Sequence, residues 1–228
     1  PKIIQLPSAS TYSVNTAIPI IDGISIIGTS DGRSKPKLIS SGTDRLFICQ
    51  DMQNPIVTYR NLEIREGEAP NYGDGGAILL DNCSLTFENV DIVENSSEGK
   101  GGGMYLVNNS NPHLKTVKIN NNTAWDNGGG IYNDSSSPII EDCQINNNEI
   151  VSAIEDIEVD GTKGAGLFIR NGSVVSLDGV TISNNKIISP SDDVYGVGIY
   201  IEDVPSGFSF SNIEVIDNQV SGAVVDAT

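Results

Sequence analysis

Residues 129–148 read GGIYNDSSSPIIEDCQINNN, and this stretch decides the fold because its parts recur along the chain. The opening Gly-Gly-Ile-Tyr-Asn has counterparts in Gly-Gly-Ala-Ile-Leu-Leu from Gly75 and Gly-Gly-Met-Tyr-Leu from Gly102. Weaker copies stand at Gly164-Ala165-Gly166-Leu167-Phe168-Ile169 and Gly196-Val197-Gly198-Ile199-Tyr200-Ile201. Downstream of each phrase an apolar anchor is followed three places on by Asn: Ile92 and Asn95, Ile119 and Asn122, Ile145 and Asn148, Ile182 and Asn185, Val215 and Asn218. Ile64 with Gly67 is an earlier copy. Two places before the anchors sit Leu62, Val90, Val117, Cys143, Val180 and Ile213; five places before sit Tyr59, Phe87, Leu114, Ile140, Leu177 and Phe210. Apolar positions two apart are the period of a strand, not of a helix face.

Three places before the anchor stand Asn61, Asn89, Thr116, Asp142, Gly179 and Asn212. All but Thr116 are residue types that tolerate a left-handed backbone, as a one-residue bend between two strands requires. The anchors lie 28, 27, 26, 37 and 33 residues apart. Three short strands and three turns in such a period describe a parallel β-helix, with the longer gaps holding inserted loops. The expected architecture is all-β, a single-stranded solenoid of about seven coils with three short strands each. Residues 46–228 form one continuous run of coils, and residues 1–45, with Ile18 to Gly28 reading as strand, turn and strand, supply a cap and the first coils. The C-terminal end shows no capping helix, so the chain is expected to belong to a longer polypeptide.

Composition agrees. Among 228 residues, 30 acidic side chains oppose 13 basic ones for a net charge of -17, and 24 residues are Gly. Nucleic acid is excluded as a partner by that charge, since phosphate binding needs basic clusters. No apolar run is long enough to span a membrane as a helix. One histidine excludes a His-rich metal centre. The three cysteines give no disulfide framework: Cys143 sits in a core column, and Cys49 and Cys83 do not share its register, although they could stack in neighbouring coils.

The phrase from Gly129 through Pro138 to Cys143, Ile145 and Asn148 resembles the right-handed parallel β-helix repeats of secreted bacterial proteins, and is similar to pectate-lyase-like domains. Gly75-Gly76-Ala77-Ile78 resembles a motif of polymorphic outer membrane proteins, although the companion Phe-x-x-Asn motif is missing, Val90 and Ile213 standing where Asn would follow Phe87 and Phe210. The resemblance implies a right-handed parallel β-helix, secreted or associated with the cell surface or outer membrane. It implies no single activity, because this scaffold carries lyases, hydrolases and adhesins alike.

Alternation along the first strand of each coil puts Ala77 and Leu79, Met104 and Leu106, Leu167 and Ile169, and Ile199 and Ile201 inward. It puts Ile78, Tyr105, Tyr132, Phe168 and Tyr200 outward, stacked at the interstrand spacing of about 4.8 Å. Such a ladder could be a sugar-stacking platform, with Trp125 in the neighbouring loop as a further ligand-binding candidate. The alternative is that loops cover the rings, which then only stabilise the sheet. The loops entering this strand carry Glu94, Glu98, Asp126, Glu149, Glu155, Asp156, Glu158, Asp160, Asp192 and Asp193. Asp156, Glu158, Asp160, Asp192 and Asp193 are the candidate ligands for Ca²⁺, the one cofactor expected, bound through oxygen atoms; solvated acidic loops are the alternative. None of Arg33, Arg45, Arg60, Arg65 and Arg170 falls convincingly among these acids, as a pectate lyase would require, so no catalytic residue is assigned. His113, lacking a partner, reads as a surface residue, and the Asn after each anchor as a hydrogen-bonded ladder at a turn. The function expected is adhesion or glycan binding without catalysis, the partner being a polysaccharide or a cell-surface glycan or protein. The alternatives are a Ca²⁺-dependent polysaccharide lyase or glycoside hydrolase acting through acidic loops, and a passive surface stalk.

Overall fold

The computed structural model describes residues 2–29, 31–32, 34–52, 56–152, 161–189 and 194–222. Its strands pair in parallel, each with the equivalent strand of the coils before and after it. One sheet stacks Ile18–Pro19, Phe47–Met52, Ile78–Cys83, Met104–Val107, Ile131–Asp134, Leu167–Arg170 and Ile199–Ile201. A second, larger sheet is folded along a line of bends. Thr58–Arg65 and Thr86–Val93 run across the bend as eight-residue strands. Later coils split there, into His113–Lys115 and Lys118–Asn120, then Ile139–Glu141 and Gln144–Asn146, and onward to Ser209–Ser211 and Glu214–Ile216. Lys2–Leu6 and Thr11–Val14 join the same sheet by pairing with Ile24–Gly28 and Lys37–Ser40. Among the described residues no helix is long and apolar enough to cross a membrane.

The bend column has the backbone its residues require. Asn61, Asn89, Asp142 and Asn212 lie at φ between 52° and 54°, and Gly179 at 64°. Thr116 adopts the same left-handed geometry at φ 55°. A left-handed β-branched residue costs on the order of 1–2 kcal/mol, and here its N–H is engaged by Glu141 O at 2.9 Å in the next coil. The side chains between bends form the core. Tyr59, Phe87, Leu114, Ile140 and Leu177 are buried, as are Ile64, Ile92, Ile119, Ile145 and Ile182. Each contributes about 1.5–3 kcal/mol by leaving water. In the last described coil the same columns end in Phe210 and Val215, which are half-exposed.

The anchor-plus-three asparagines form a continuous ladder. Asn95 Nδ2 donates to Asn122 Oδ1 at 2.8 Å, Asn122 to Asn148 at 2.9 Å, Asn148 to Asn185 at 3.0 Å and Asn185 to Asn218 at 2.9 Å. The earlier coil has Gly67 at this position, and its backbone N–H donates to Asn95 Oδ1 at 2.9 Å.

The structure departs from the sequence reading in three places outside the site. Coils from Thr86 onward carry a fourth short strand after the asparagine: Ser96–Ser97, Thr123–Ala124, Glu149–Val151, Lys186–Ser189 and Gln219–Gly222. These runs of two to four residues are too short and too polar to show a period. Second, Cys49 and Cys83 form a disulfide with Cα atoms 6.0 Å apart, contrary to the absence of a framework inferred from the odd count. Phe47–Met52 and Ile78–Cys83 are adjacent strands, which brings the two sulfurs together. Third, His113 has a partner: its Nε2 lies 3.0 Å from Glu141 Oε2, diagonal to it on the next coil. Cys143 is the free thiol in the core, and burial pushes it up to about 12.

Candidate functional site

The outward row of the first sheet is shifted by one residue in its early coil. Gly75, Gly101, Gly128, Gly164 and Gly196 share a positive φ of 52° to 76° and mark the equivalent position. Ile78 therefore pairs with Met104 and points inward, while Leu79, not Ile78, stands in the row with Tyr105. Further along, the ladder of Tyr105, Tyr132, Phe168 and Tyr200 is present. Successive ring centroids are 5.2, 4.8 and 5.6 Å apart with interplanar angles of 15°, 6° and 18°.

That geometry bears directly on sugar stacking. Tyr132 and Phe168 each have both ring faces against neighbouring rings, and they are 2% and 0% exposed. A pyranose needs an open aromatic face, and the two middle rungs offer none in this conformation. Two lysines add to the cover. Lys100 Nζ lies 5.3 Å from the Tyr132 ring centroid and Lys163 Nζ 5.0 Å from that of Tyr200. Glu202 accepts from Tyr200 OH at 3.2 Å and lies 3.4 Å from Lys163 Nζ. Burial, followed by the charge of Asp74, drives the Tyr105 phenol far above its ordinary value, and burial does the same to Tyr132. The ladder is a covered, stabilising stack along its middle.

An open aromatic surface exists one turn away. Tyr72 is 74% exposed, and its ring meets that of Trp125 edge-to-face with centroids 6.2 Å apart at 67°. Trp125 follows Thr123–Ala124 and its N–H donates to Ser97 O at 3.1 Å, which fixes it on the coil beside Glu98. Tyr72 is held out by backbone conformation: Asn71 and Tyr72 are successive left-handed residues at φ 51° and 57°, closed by a Gly73 N–H to Pro70 O bond of 2.9 Å. Two such residues cost on the order of 1–3 kcal/mol each. Next to Tyr72 opens a cleft of about 320 Å³ lined by Thr43, Glu68, Ala69, Pro70, Asn71, Tyr72 and Glu98. Of these, Glu98 was identifiable as a loop acid from the sequence. Tyr72 was missed, because its Pro-Asn-Tyr-Gly turn has no counterpart in the other coils; the turn residues just ahead of a Gly phrase were the available signal.

The five residues expected to hold Ca²⁺, Asp156, Glu158, Asp160, Asp192 and Asp193, lie outside the described residues. Among the described residues no three His, Cys, Asp or Glu side chains come together as a metal site. Several of the other loop acids are occupied by cations: Glu94 by Arg65, Asp126 by Lys100 at 3.7 Å and Glu149 by Lys186 at 3.4 Å. Burial, followed by Asp74, still raises the Asp126 carboxyl above its ordinary value, against the opposing pull of Lys100. The described arginines are likewise engaged. Arg45 donates to the carbonyls of Asp74 and Gly75, Arg60 faces Glu88, Arg65 is ringed by Glu63, Glu66 and Glu94, and Arg170 lies between Asp134 and Glu202. What the arrangement offers is a small concave surface with an aromatic wall and carboxylate acceptors.

Comparison with known proteins agrees with the topology. The family described as the right handed beta helix region matches residues 21–225, nearly the whole chain, so the protein belongs to that family. No curated protein and no solved structure matches it.

Proposed function

We propose that this member of the right-handed β-helix family is a secreted or cell-surface binding protein, without catalysis of its own, that docks a glycan in the cleft beside Tyr72 and Trp125. The observation that carries this reading is the exposed Tyr72 ring, held against Trp125 at the mouth of a cleft by two left-handed residues. An aromatic face beside hydrogen-bond acceptors suits a sugar, whose apolar ring face and hydroxyls need both. The Cys49–Cys83 disulfide supports an oxidising location, where such bonds persist. The lyase alternative finds less support: the described arginines are held by carboxylates or backbone carbonyls, and a chain of net charge -17 repels polyuronates.

Glycan-array binding of the wild type, Y72A, W125A and the double variant tests the reading. Loss of the Tyr72 wall is expected to weaken binding about three- to tenfold, loss of the Trp125 ring that packs against it to weaken binding less, and loss of both to abolish the array signal. Unchanged binding by the double variant would sink it, and so would product release from a polyuronate or neutral-glycan panel with or without Ca²⁺. Failure of every glycan to bind would leave the stalk reading in its place.

A further inference from the structure

The cleft beside Tyr72 has a charge as well as a shape. Two of its seven lining residues, Glu68 and Glu98, are carboxylic acids, both at half-buried positions, and no basic side chain lines it. They come from adjacent coils, since Glu68 bridges in parallel to Ser96, two residues before Glu98. Among the described residues neither is in an ion pair, unlike Glu63, Glu94, Glu149 and Glu202 elsewhere on the surface. Two cations close by in the chain are engaged elsewhere: Lys100, two residues after Glu98, faces Asp126 and the Tyr132 ring, and Arg45, whose neighbour Asp44 accepts from Glu68 N, donates to the carbonyls of Asp74 and Gly75. A neutral sugar bound here would desolvate two carboxylates without compensating their charge. A cation would compensate it, and the Tyr72 face adds a cation–π contact of its own.

We propose that the cleft takes a sugar bearing a protonated primary amine, with its ring against Tyr72 and its ammonium donating to Glu68 and Glu98. This rests on the glycan reading above and narrows it to aminosugars. The acidic surface of the whole chain favours the same choice by concentrating cationic ligands near it.

Calorimetric titration of the intact protein with three matched oligosaccharides tests it: a β-1,4-glucosamine tetramer, its fully N-acetylated form and a cello-tetraose. The glucosamine tetramer is expected to bind about tenfold or more tightly than either neutral one, as charge-assisted bonds to ionised acceptors imply. In E68Q/E98Q, which keeps the cleft's shape, that preference should fall to near unity while the neutral oligomers bind as before; Y72A should weaken all three. Equal or tighter binding of the neutral tetramers, or a preference unchanged in E68Q/E98Q, overturns the aminosugar assignment and leaves the glycan reading standing. Competition by spermidine as effective as that by the glucosamine tetramer also overturns it, because charge alone would then account for binding. No binding by any of the three overturns the aminosugar assignment, and the glycan reading then stands or falls on the array.

Discussion

Replacing Asn148 with Ala removes the middle rung of the asparagine ladder, and the cost can be worked from its bonds. Asn148 is fully buried. Its Oδ1 accepts from Asn122 N at 3.1 Å and Asn122 Nδ2 at 2.9 Å; its Nδ2 donates to Ile119 O at 2.8 Å and Asn185 Oδ1 at 3.0 Å. Four buried bonds at about 1 kcal/mol net each, plus about 1–3 kcal/mol for the stranded N–H of Asn122, give a loss of about 5–7 kcal/mol. Asn218 supplies the control. It too makes four bonds, from Asn185 N and Nδ2 and to the carbonyls of Ile182 and Ile216, but it is half-buried and water reaches it. N218A should therefore cost only about 1–2 kcal/mol, because solvent replaces what the side chain gave. Urea unfolding followed by circular dichroism, with the slope shared between variants, measures both. A third variant, N148D, keeps the volume and both acceptor bonds while losing both donors and burying a charge, so at neutral pH it should cost more than N148A. If N148A cost less than about 1 kcal/mol, or the same as N218A, burial would not be what makes the ladder matter and the reasoning would fail.

Three other outcomes follow from the same structure. F168A, which empties a fully buried slot between Tyr132 and Tyr200, should lose about 3–5 kcal/mol in thermal unfolding while glycan binding at Tyr72 is kept; a binding loss with unaltered stability would return the ladder to the ligand. Reducing the wild type, or making C49S/C83S, should destabilise by about 2–4 kcal/mol, since the bridge closes a loop of 34 residues; denaturation midpoints that ignore reductant would contradict this. For Asp126, burial raises the folded pKa, so the folded form holds the proton more tightly than the unfolded chain does. The resulting stability is present below the ordinary carboxylate value and is lost as pH rises through the folded pKa. D126N should lack that decline in a pH series of unfolding curves, and a parallel decline in both proteins would refute the assignment.

The coil was legible because each column recurs once per turn at a fixed offset from its anchor: Leu62 to Val180, Tyr59 to Leu177 and Asn95 to Asn218 needed only counting. Register was harder where the phrase was ambiguous. Gly75-Gly76 can be laid on the second and third glycines of 101–103 or on the first and second, and only the positive φ shared by Gly75 and Gly101 selects the latter. The same glycine run keeps coils close. A Cβ at Gly130 would stand 2.6 Å from Gly166 O and 2.9 Å from Asn148 Nδ2, so the phrase also makes room for the ladder. The His113–Glu141 pair escaped notice because its partner is diagonal, two positions past the residue paired with His113. The disulfide escaped for a related reason, since Cys49 pairs in register with Leu80 and Cys83 with Met52, and the sulfurs meet across the rungs.

The covered ladder and the open Tyr72 have one cause. In a regular coil every side chain lies above and below its equivalents at about 4.8 Å, so an aromatic repeated in one column is stacked on both faces by its own kind. Tyr132 and Phe168 obey this and lose their faces to each other. An aromatic stays available only where the column is broken. Trp125 has Glu98 and Val151 at the neighbouring positions, so no ring of its own column stacks on it and it meets Tyr72 in a T-shaped contact instead. Tyr72 sits in a turn that no other coil repeats, and its left-handed backbone lifts it off the sheet. In this fold, then, repetition stacks rings on one another and interruption leaves them open. On the glycan reading, the turns just ahead of each Gly phrase, where coil length varies and the column is interrupted, are where a ligand would be selected.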